Sequence, residues 1–419
     1  MHIDLPKGIR AFNEKESFEI KYIEDKISKI FHLWGYERLL LPTIEYFEVH
    51  KKGIGKDLEN KTFRLIDRAE GEIITLRADF TSQIARYIAS LQKKEFPIRY
   101  YYSGNIFRYL PPKGSNLWER RQIGIELIGV SELEADAEII AIASNVLNKL
   151  GINNFQIDIN NTNIFDTLKN ILNLSDNEYS EFMGYIKNKE IYYLKDFCDK
   201  RNIPENLKEF IIGIPKFQGG IETVKILKEK LKNYQKLVDS FEELIKINEI
   251  LEEYSLNANI VFDIGEPKEF SYYTGIVFEI FIKGFNKVIG HGGRYNNLLS
   301  RYNGNYPATG FAFDLFYLWE YIRKNNLIKE KNEKDFFIID TTHNKKVAYQ
   351  LAKFLREKGF SVARDIIKRE VKDSLQFAFK NNYKKAVVIG LDSLEENIYI
   401  YTNLDEYEKK KLEEFMKSI

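Results

Sequence analysis

Two polar side chains stand four positions apart in a largely apolar run, and their spacing suggests a binding site. The run is RQIGIELIG, in which strand alternation places Gln122, Gly124 and Glu126 on one face and the intervening apolar residues on the other. A glutamine and a carboxylate separated by a glycine form a polar slot with room for a ligand. Because an unpaired carboxylate is costly to bury, the alternative is a solvent-exposed face of an antiparallel sheet.

Two charged residues elsewhere are candidates for contacts with the same ligand. Arg108, in NIFRYL, carries a planar guanidinium group that suits a bidentate contact with a carboxylate or a phosphate. The alternative for Arg108 is an ordinary surface arginine paired with an acid. Asp79, in TLRADFT, can hold an ammonium group, and it is equally placed to cap the helix predicted to follow it.

The segment EFSYYTGIVFE places two adjacent phenols at the start of a predicted strand. Taken alone, Tyr272 and Tyr273 favour core or interface packing, because neighbouring side chains diverge in a regular strand. Only a bend, which Gly275 permits, lets both line one cavity. The run GHGGRY is interpreted as a tight glycine turn, and His291 within it as a turn or packing residue rather than a catalyst.

Composition limits the classes of function. The 63 Lys and Arg residues balance 62 Asp and Glu residues, so the total charge gives no sign of the basic stripe that is typical of nucleic-acid binders. Cys198 is the single cysteine and the five histidines lack metal-ligand spacing, so we expect no disulfide, metal or cofactor. No apolar run marks a signal peptide or a membrane span, and we expect a cytoplasmic protein.

The elements that must position these residues fall into several segments, and the chain length favours two or three domains. Apolar spacing predicts a helix over 16–34, followed by an extended segment whose Pro42 indicates a sheet edge or an interface. Two strands joined by the loop PPKGSNLWE then carry Arg108 and the Gln–Glu pair. Residues 154–254 are predicted as a helical insertion, and the strand–helix alternation of 335–419 predicts a small α/β domain.

Taken in order, these motifs resemble the core of the class II aminoacyl-tRNA synthetases, and specifically its histidyl branch. The helix and the Pro42 strand are similar to the dimer-forming first motif, and NIFRYLPPKGSNLWERRQIGIELIG is similar to the second. YYTGIVFE resembles the histidine-recognition segment, and GGRYNNLL with PATGFAFDL resembles the run into the third motif.

The resemblance implies an α+β fold in which helices flank an antiparallel sheet. The synthetase-like core is expected in residues 1–153 and 255–325, with the helical insertion of 154–254 between them. Residues 335–419 are similar to the anticodon-binding domain of the synthetases.

The resemblance also implies roles for the candidate residues. Glu126 and the two tyrosines are expected to read an imidazole ring. Asp79, which stands where the family has a glutamate, is expected to hold an ammonium group together with Gln122, while Arg108 holds a carboxylate. The implied histidine-binding set is Asp79, Arg108, Gln122, Glu126, Tyr272 and Tyr273.

The positions that the synthetases use to grip and activate ATP differ in this chain. Tyr317 replaces an arginine of the third motif, Leu110 a glutamate of the second, Lys268 an arginine before the tyrosines, and Ser271 an aspartate. Losing one preorganised contact to the charge that builds up in the transition state typically costs ~100-fold or more in rate. We therefore expect a site that binds histidine without activating it.

That combination resembles the family of synthetase paralogues that serve as regulatory subunits of ATP phosphoribosyltransferase. It implies a non-catalytic, histidine-sensing subunit acting at the first step of histidine biosynthesis. The subunit is expected to form a homodimer through its N-terminal helix and strand and to join the short catalytic subunit in a hetero-oligomer. The C-terminal domain, which many members lack, interleaves Lys and Glu (KKKLEEF), which favours a structural or docking role over contact with tRNA.

Two alternatives stay open. A divergent histidyl-tRNA synthetase needs Arg120, Arg121 or Arg294 to replace the missing cation, and histidine-dependent ATP–pyrophosphate exchange would reveal it. A tRNA-binding or tRNA-sensing module without catalysis needs no such cation, and gel retardation with tRNA tests for it.

Overall fold

The computed structural model describes most of the chain. The described residues are 4–110, 117–256, 259–266, 272–392 and 396–419. They form two compact units, Met1–Ile328 and Lys329–Ile419. Every helix formed by the described residues is too short or too polar to span a lipid bilayer.

The first unit contains both strands and helices throughout its length. Its strands are β1 (Glu37–Arg38), β2 (Ile44–Tyr46), β3 (Arg64–Ile66), β4 (Ile73–Leu76), β5 (Ile98–Phe107), β6 (Glu119–Ile128), β7 (Phe155–Asn161), β8 (Gln218–Gly219), β9 (Ile260–Asp263), β10 (Ile276–Ile282), β11 (Phe285–Arg294) and β12 (Ala308–Asp314). Its helices are α1 (Glu14–Leu33), α2 (Phe47–Gly53), α3 (Lys56–Glu59), α4 (Thr81–Ser90), α5 (Leu133–Lys149), α6 (Asn163–Ile171), α7 (Asp176–Lys187), α8 (Ile191–Lys200), α9 (Glu205–Gly213), α10 (Ile221–Lys230), α11 (Gln235–Glu253) and α12 (Leu315–Lys324).

A large mixed sheet forms the centre of the first unit, with the strand order β1-β5-β6-β12-β11-β10-β7-β9-β8. The run from β5 to β7 is antiparallel throughout, whereas β1 and β9 pair in parallel with β5 and β7. A smaller antiparallel sheet has the order β2-β4-β3. This architecture confirms the predicted α+β fold.

The two faces of the central sheet have different cores. Ile125 of β6 and Phe313 of β12 belong to the core formed with Ile27 of α1 and Ile139 of α5. Helix α1 begins cleanly because Asn13 and Glu16 form a capping box, in which each side chain accepts from the backbone N–H of the other residue. The opposite face packs against α4 through a second, smaller core.

Two segments differ from the prediction. Residues 155–161, which were predicted within the helical insertion, form β7 of the central sheet, so the helices of this region begin at α6. FQIDINN alternates apolar and polar residues as a strand does, but the helix-rich composition of the longer segment outweighed this pattern in the prediction. GHGGRY is not a tight turn: His291 and its glycines lie in β11, between β10 and β12.

The second unit is an α/β domain. Its elements are β13 (Lys334–Asp340), α13 (Lys346–Glu357), β14 (Val362–Arg364), α14 (Val371–Lys380), β15 (Tyr383–Ile389), β16 (Asn397–Tyr401), β17 (Tyr407–Lys411) and α15 (Leu412–Ser418). The strand order is β14-β13-β15-β16-β17, with β14, β13 and β15 parallel and the last two strands antiparallel to their neighbours. Separate apolar cores lie on the two faces of this sheet.

A buried histidine fixes the turn that leads into α4. The Nε2 atom of His50, on α2, accepts from the backbone N–H of Ala78 at 3.1 Å, and its Nδ1 atom lies 3.1 Å from Oγ of Ser82. Because Nε2 accepts, the neutral ring carries its proton on Nδ1 and donates to Ser82. Burial, together with the charge of Arg108, lowers the pKa of His50 to about 4.

We predict that His50→Ala destabilises the protein by roughly 3 kcal/mol, because buried partners at Ala78 and Ser82 lose their hydrogen bonds. The folded pKa of His50 lies below the unfolded value of 6.5. Its stabilisation is therefore complete above pH 6.5 and is lost as the pH falls towards 4, by an amount of about 3 kcal/mol. Urea unfolding between pH 4 and pH 7.5 measures both effects.

The exposed His32 provides the matched control. His32→Ala should change neither the stability nor its slope with pH. If His50→Ala leaves the same slope as the wild type, this histidine does not fix the turn.

Candidate functional site

The register of the central sheet assembles a floor of small residues. On the face opposite α1, one row across the strands runs Tyr100, Glu126, Gly310, Gly293 and Val277. Next to it, a second row runs Tyr102, Gly124, Ala312, His291 and Glu279, and a third contains Gly104, Gln122 and Asp314. Glycine and alanine in the middle of the first two rows leave a depression, and larger side chains rise around it.

This depression is a narrow cavity. Five of the six residues predicted to bind a ligand line it; Arg108 does not. The predicted lining residues are Asp79, Gln122, Glu126, Tyr272 and Tyr273. The structure therefore brings together residues from β6, from the turn before α4 and from the segment before β10.

Glu126 lies at the bottom of the cavity with only 1% of its surface exposed. The hydroxyl of Thr81 donates to its Oε1 at 2.8 Å, and the phenol of Tyr295 donates to its Oε2 at 2.5 Å. Burial raises the pKa of Glu126 to about 8, against the lowering effect of these hydrogen bonds. Since Gln122 is also buried, at 4% exposure, the alternative of a solvent-exposed sheet face is wrong.

Asp79 both starts a helix and lines the cavity. Its carboxylate accepts from the backbone N–H of Ser82 at 3.2 Å in the first turn of α4, as the capping alternative predicted. Burial raises the pKa of Asp79, while the charge of Arg108 opposes that shift. Both roles proposed from the sequence, helix capping and a carboxylate facing a ligand, are compatible with one position.

Arg108 stands beside the cavity rather than in its wall. Its Nε donates to the carbonyl oxygen of Ala78 at 2.9 Å, and the side chain is buried, so the surface-arginine alternative is wrong. Burial lowers the pKa of Arg108, and the positive charge of Arg120 lowers it further. Its charge acts on Asp79 and on His291, both of which line the cavity.

The two tyrosines face one cavity because the strand starts after them. Gly275, with φ of 156°, bends the backbone, and β10 begins only at Ile276. The rings of Tyr272 and Tyr273 meet edge to face with centroids 4.9 Å apart. Thr162 holds this bend, because its Oγ1 accepts from the N–H of Gly275 at 2.8 Å.

Several lining residues were not singled out from the sequence. They are Thr81, Tyr102, Tyr295, Gly310, Phe311 and Ala312. His291, predicted as a turn or packing residue, lines the cavity as well. The sequence TGFAFD did indicate the floor of the cavity. Its small and aromatic residues alternate, as they do on a strand that has small residues on one face and aromatic residues on the other. Its meaning depends on the pairing of β12 with β6, which the sequence does not display.

Three further arginines near the site are each held by an acid of the chain. Nε of Arg120 donates to Asp314 Oδ2 at 2.6 Å, and its guanidinium lies 4.6 Å from the centroid of the Tyr317 ring. Arg121 contacts both carboxylate oxygens of Glu24, on α1, at 3.0 to 3.2 Å.

Arg294 is likewise committed to a partner. Its Nη2 lies 2.6 Å from Oδ2 of the buried Asp136, and it also donates to the backbone carbonyls of Val130 and Glu132. Thr309 donates to the other carboxylate oxygen of Asp136 at 2.7 Å.

A second cleft opens next to the Arg120–Asp314 pair. Leu110 and Tyr317 line this cleft, together with aromatic residues of α12 and of the segment before α1. Lys268 and Ser271, at the other two positions that differ from the synthetases, lie outside the described residues. Among the described residues, no three His, Cys, Asp or Glu side chains are grouped so that they could hold a metal ion.

Comparison with known proteins points to one family. The family model described as histidyl-tRNA synthetase matches residues 8–318. An ATP phosphoribosyltransferase regulatory subunit from Geobacter metallireducens is 31% identical over 391 residues, covering 93% of this chain and 89% of that protein. A histidine–tRNA ligase from Methanocaldococcus jannaschii is 32% identical over 396 residues, covering 93% of this chain and 92% of that protein.

Solved structures agree. The crystal structure of an ATP phosphoribosyltransferase regulatory subunit/histidyl-tRNA synthetase from Bacillus halodurans C matches with a TM-score of 0.79 at 25% identity. The match covers 92% of this chain and 98% of that one. Because regulatory subunits and ligases share this fold and similar identities, the chemistry of the site has to distinguish them.

We predict that Gly310→Ala destabilises the protein by about 3 kcal/mol, as overpacking of a closed site does. A Cβ atom at this position would lie 1.8 Å from Oε2 of Glu126 and 2.5 Å from the carbonyl oxygen of Ile125. Chemical unfolding measures the loss. Gly184→Ala on α7 is the matched control, because its Cβ meets no atom within 4 Å, and it should be neutral or slightly stabilising. Equal effects of the two substitutions would contradict the closed floor described here.

Proposed function

This chain belongs to the histidyl-tRNA synthetase family and, within it, to the ATP phosphoribosyltransferase regulatory subunits, and from that premise we propose its function. It is the non-catalytic subunit that a short-form catalytic ATP phosphoribosyltransferase requires at the first step of histidine biosynthesis. Histidine bound in its cavity transmits feedback inhibition to the complex.

The character of the cavity supports histidine as the effector. Two buried carboxyl groups, Asp79 and Glu126, face the cavity together with the amide of Gln122 and several phenols. Such a wall is rich in hydrogen-bond acceptors, which suits a small ligand with an ammonium group and an imidazole N–H. In this proposal Glu126 and the tyrosines read the imidazole, Asp79 and Gln122 hold the ammonium group, and the ligand carboxylate turns towards Arg108.

One observation carries the non-catalytic part of the proposal: three arginines that could replace the missing cation are paired with acids of the chain. Arg120 is held by Asp314, Arg121 by Glu24 and Arg294 by Asp136. A guanidinium group already neutralised by a carboxylate gives little stabilisation to the charge that develops on a triphosphate. Among the described residues, the groups proposed to bind an amino acid line the cavity, while these three guanidinium groups are held by carboxylates.

Inhibition follows if histidine binds one quaternary state of the complex better than another. A ligand shifts such an equilibrium only by the difference between its affinities for the two states. The proposal therefore requires assembly with the catalytic subunit, and it requires that the site remain linked to the interface.

We also propose that the subunit is a homodimer within the hetero-oligomer. Apolar side chains are exposed around β1, the edge strand of the central sheet, and on the small sheet. They include Leu33 (73%), Leu40 (76%), Ile44 (48%) and Ile66 (73%). Apolar exposure concentrated along one segment is typical of an interaction surface.

The decisive experiment mixes the purified chain with a short-form catalytic subunit and follows ATP phosphoribosyltransferase activity. Activity is expected to depend on this chain and to fall as histidine is added. Histidine-dependent ATP–pyrophosphate exchange by the chain alone is expected to be absent. Robust exchange would instead establish a divergent synthetase, the alternative that the similarity to the Methanocaldococcus jannaschii ligase favours.

Glu126→Ala should raise the histidine concentration for half-inhibition by about tenfold or more, because a strong hydrogen bond to the ligand is lost. Assembly with the catalytic subunit should persist. Glu253→Ala, an exposed acid at the end of α11, is the control and should leave inhibition unchanged. If Glu126→Ala is inhibited like the wild type, the effector binds elsewhere.

Leu40→Asp should shift the isolated chain from dimer to monomer in analytical ultracentrifugation, because a carboxylate cannot be buried unpaired in an apolar interface. Leu404→Asp introduces the same charge at a 45% exposed leucine of the second unit and should leave the dimer intact. A dimer that persists in Leu40→Asp would exclude this surface as the interface.

A further inference from the structure

His291 is a large residue that stands beside two small ones in the second row of the sheet. Its strand partner Ala312 and the next residue across, Gly124, carry almost no side chain. His291 lines the cavity from β11, next to Glu279 on its other side. Burial, together with the charges of Arg108 and Arg120, lowers the pKa of His291 to about 3, so the ring is neutral at physiological pH.

The three rows of the sheet give His291 a middle position. Along β12, the cavity-facing residues are Gly310 beside Glu126, then Ala312 beside His291, then Asp314. Each step between them is about 7 Å along the strand. The last step reaches the Arg120–Asp314 pair, which lines the neighbouring cleft where Tyr317 lies.

Any ligand that spans both spaces must therefore cross the middle row. An amino acid with its side chain at Glu126 needs to occupy only the first cavity. An aminoacyl adenylate is longer, because its carboxylate carries a phosphoryl group and a nucleoside, and these must extend over Ala312 towards the cleft. There they meet the imidazole of His291 and then the carboxylate of Asp314.

We infer that His291 is a specificity-determining residue, whose bulk closes the amino-acid cavity against the neighbouring cleft so that free histidine enters and its adenylate is excluded. This inference deepens the proposed function and rests on it. It assigns His291 a steric role, because the ring of Tyr102 already occupies the space at Gly124, where a Cβ atom would lie 2.9 Å from Tyr102 Cζ.

The experiment uses isothermal titration calorimetry on the full chain with two probes. One probe is L-histidine, and the other is a non-hydrolysable histidyl-adenylate analogue with a sulfamate in place of the phosphate. The quantity compared is the ratio of the two dissociation constants within each variant. His291→Ala should lower the ratio of analogue Kd to histidine Kd by about tenfold or more.

His291→Leu is the matched variant, because it keeps the bulk and removes the ring nitrogens. Its ratio should stay within about threefold of the wild-type ratio. The exposed His32→Ala controls for the loss of a histidine elsewhere. Should His291→Ala fail to fold, His291→Ser supplies a small residue that can still accept and donate hydrogen bonds.

The outcomes separate the two claims. Histidine binding by the wild type, with a ratio that neither substitution changes, leaves the histidine site intact and overturns the inference. A lower ratio of analogue Kd to histidine Kd in both His291→Ala and His291→Leu also overturns the inference. The imidazole ring nitrogens, rather than the volume of the side chain, would then exclude the adenylate. A wild-type chain that binds no histidine overturns the proposed function, and the inference with it.

Discussion

The burial of one carboxyl group, that of Glu126, constrains everything around the cavity. A low-dielectric surrounding disfavours its charged form and raises its pKa to about 8. The chain meets this cost with hydroxyl donors on two sides, Thr81 at the start of α4 and Tyr295 after β11. It also needs a glycine at position 310, because any side chain there would occupy the space of the carboxyl group. The site is therefore built as much by absent side chains as by present ones.

The architecture explains why one fold serves both ligases and regulators. The antiparallel sheet and its helices provide an amino-acid cavity, and that part depends on buried residues of β6 and of the turn before α4. Activation of an amino acid depends on cations at the rim, which in this chain are paired internally. Arg121 and Glu24 join the sheet to α1, so the charge of this arginine contributes to the packing of the helix on the sheet. The function proposed for this chain therefore depends on whether the arginines near the site are paired with acids, and the fold alone does not decide it.

Strand periodicity predicted much of the site. The alternation of RQIGIELIG placed Gln122 and Glu126 on one face, and the glycine after the tyrosines indicated the bend that lets both face inward. The remaining features depend on register between distant strands. The glycines around His291 predict a turn or packing residue. In the sheet they instead allow close contact between strands, because a Cβ atom on Gly292 would lie 2.4 Å from the Cβ atom of Phe311. The salt bridge of Arg120 with Asp314 joins residues far apart in sequence, and local patterns do not reveal it.

The stacking of Arg120 on Tyr317 has a consequence for substitutions at either position. An arginine restored at position 317 would meet the guanidinium of Arg120 at close range, and like charges repel. Removing Arg120 first would leave the buried carboxylate of Asp314 without this ion-pair partner. Asp314 is 6% exposed and caps α12 by accepting from the N–H of Tyr317. Each of these two substitutions, made alone, is therefore unfavourable. The Arg120–Tyr317 pair therefore opposes the introduction of an arginine at position 317 by a single substitution.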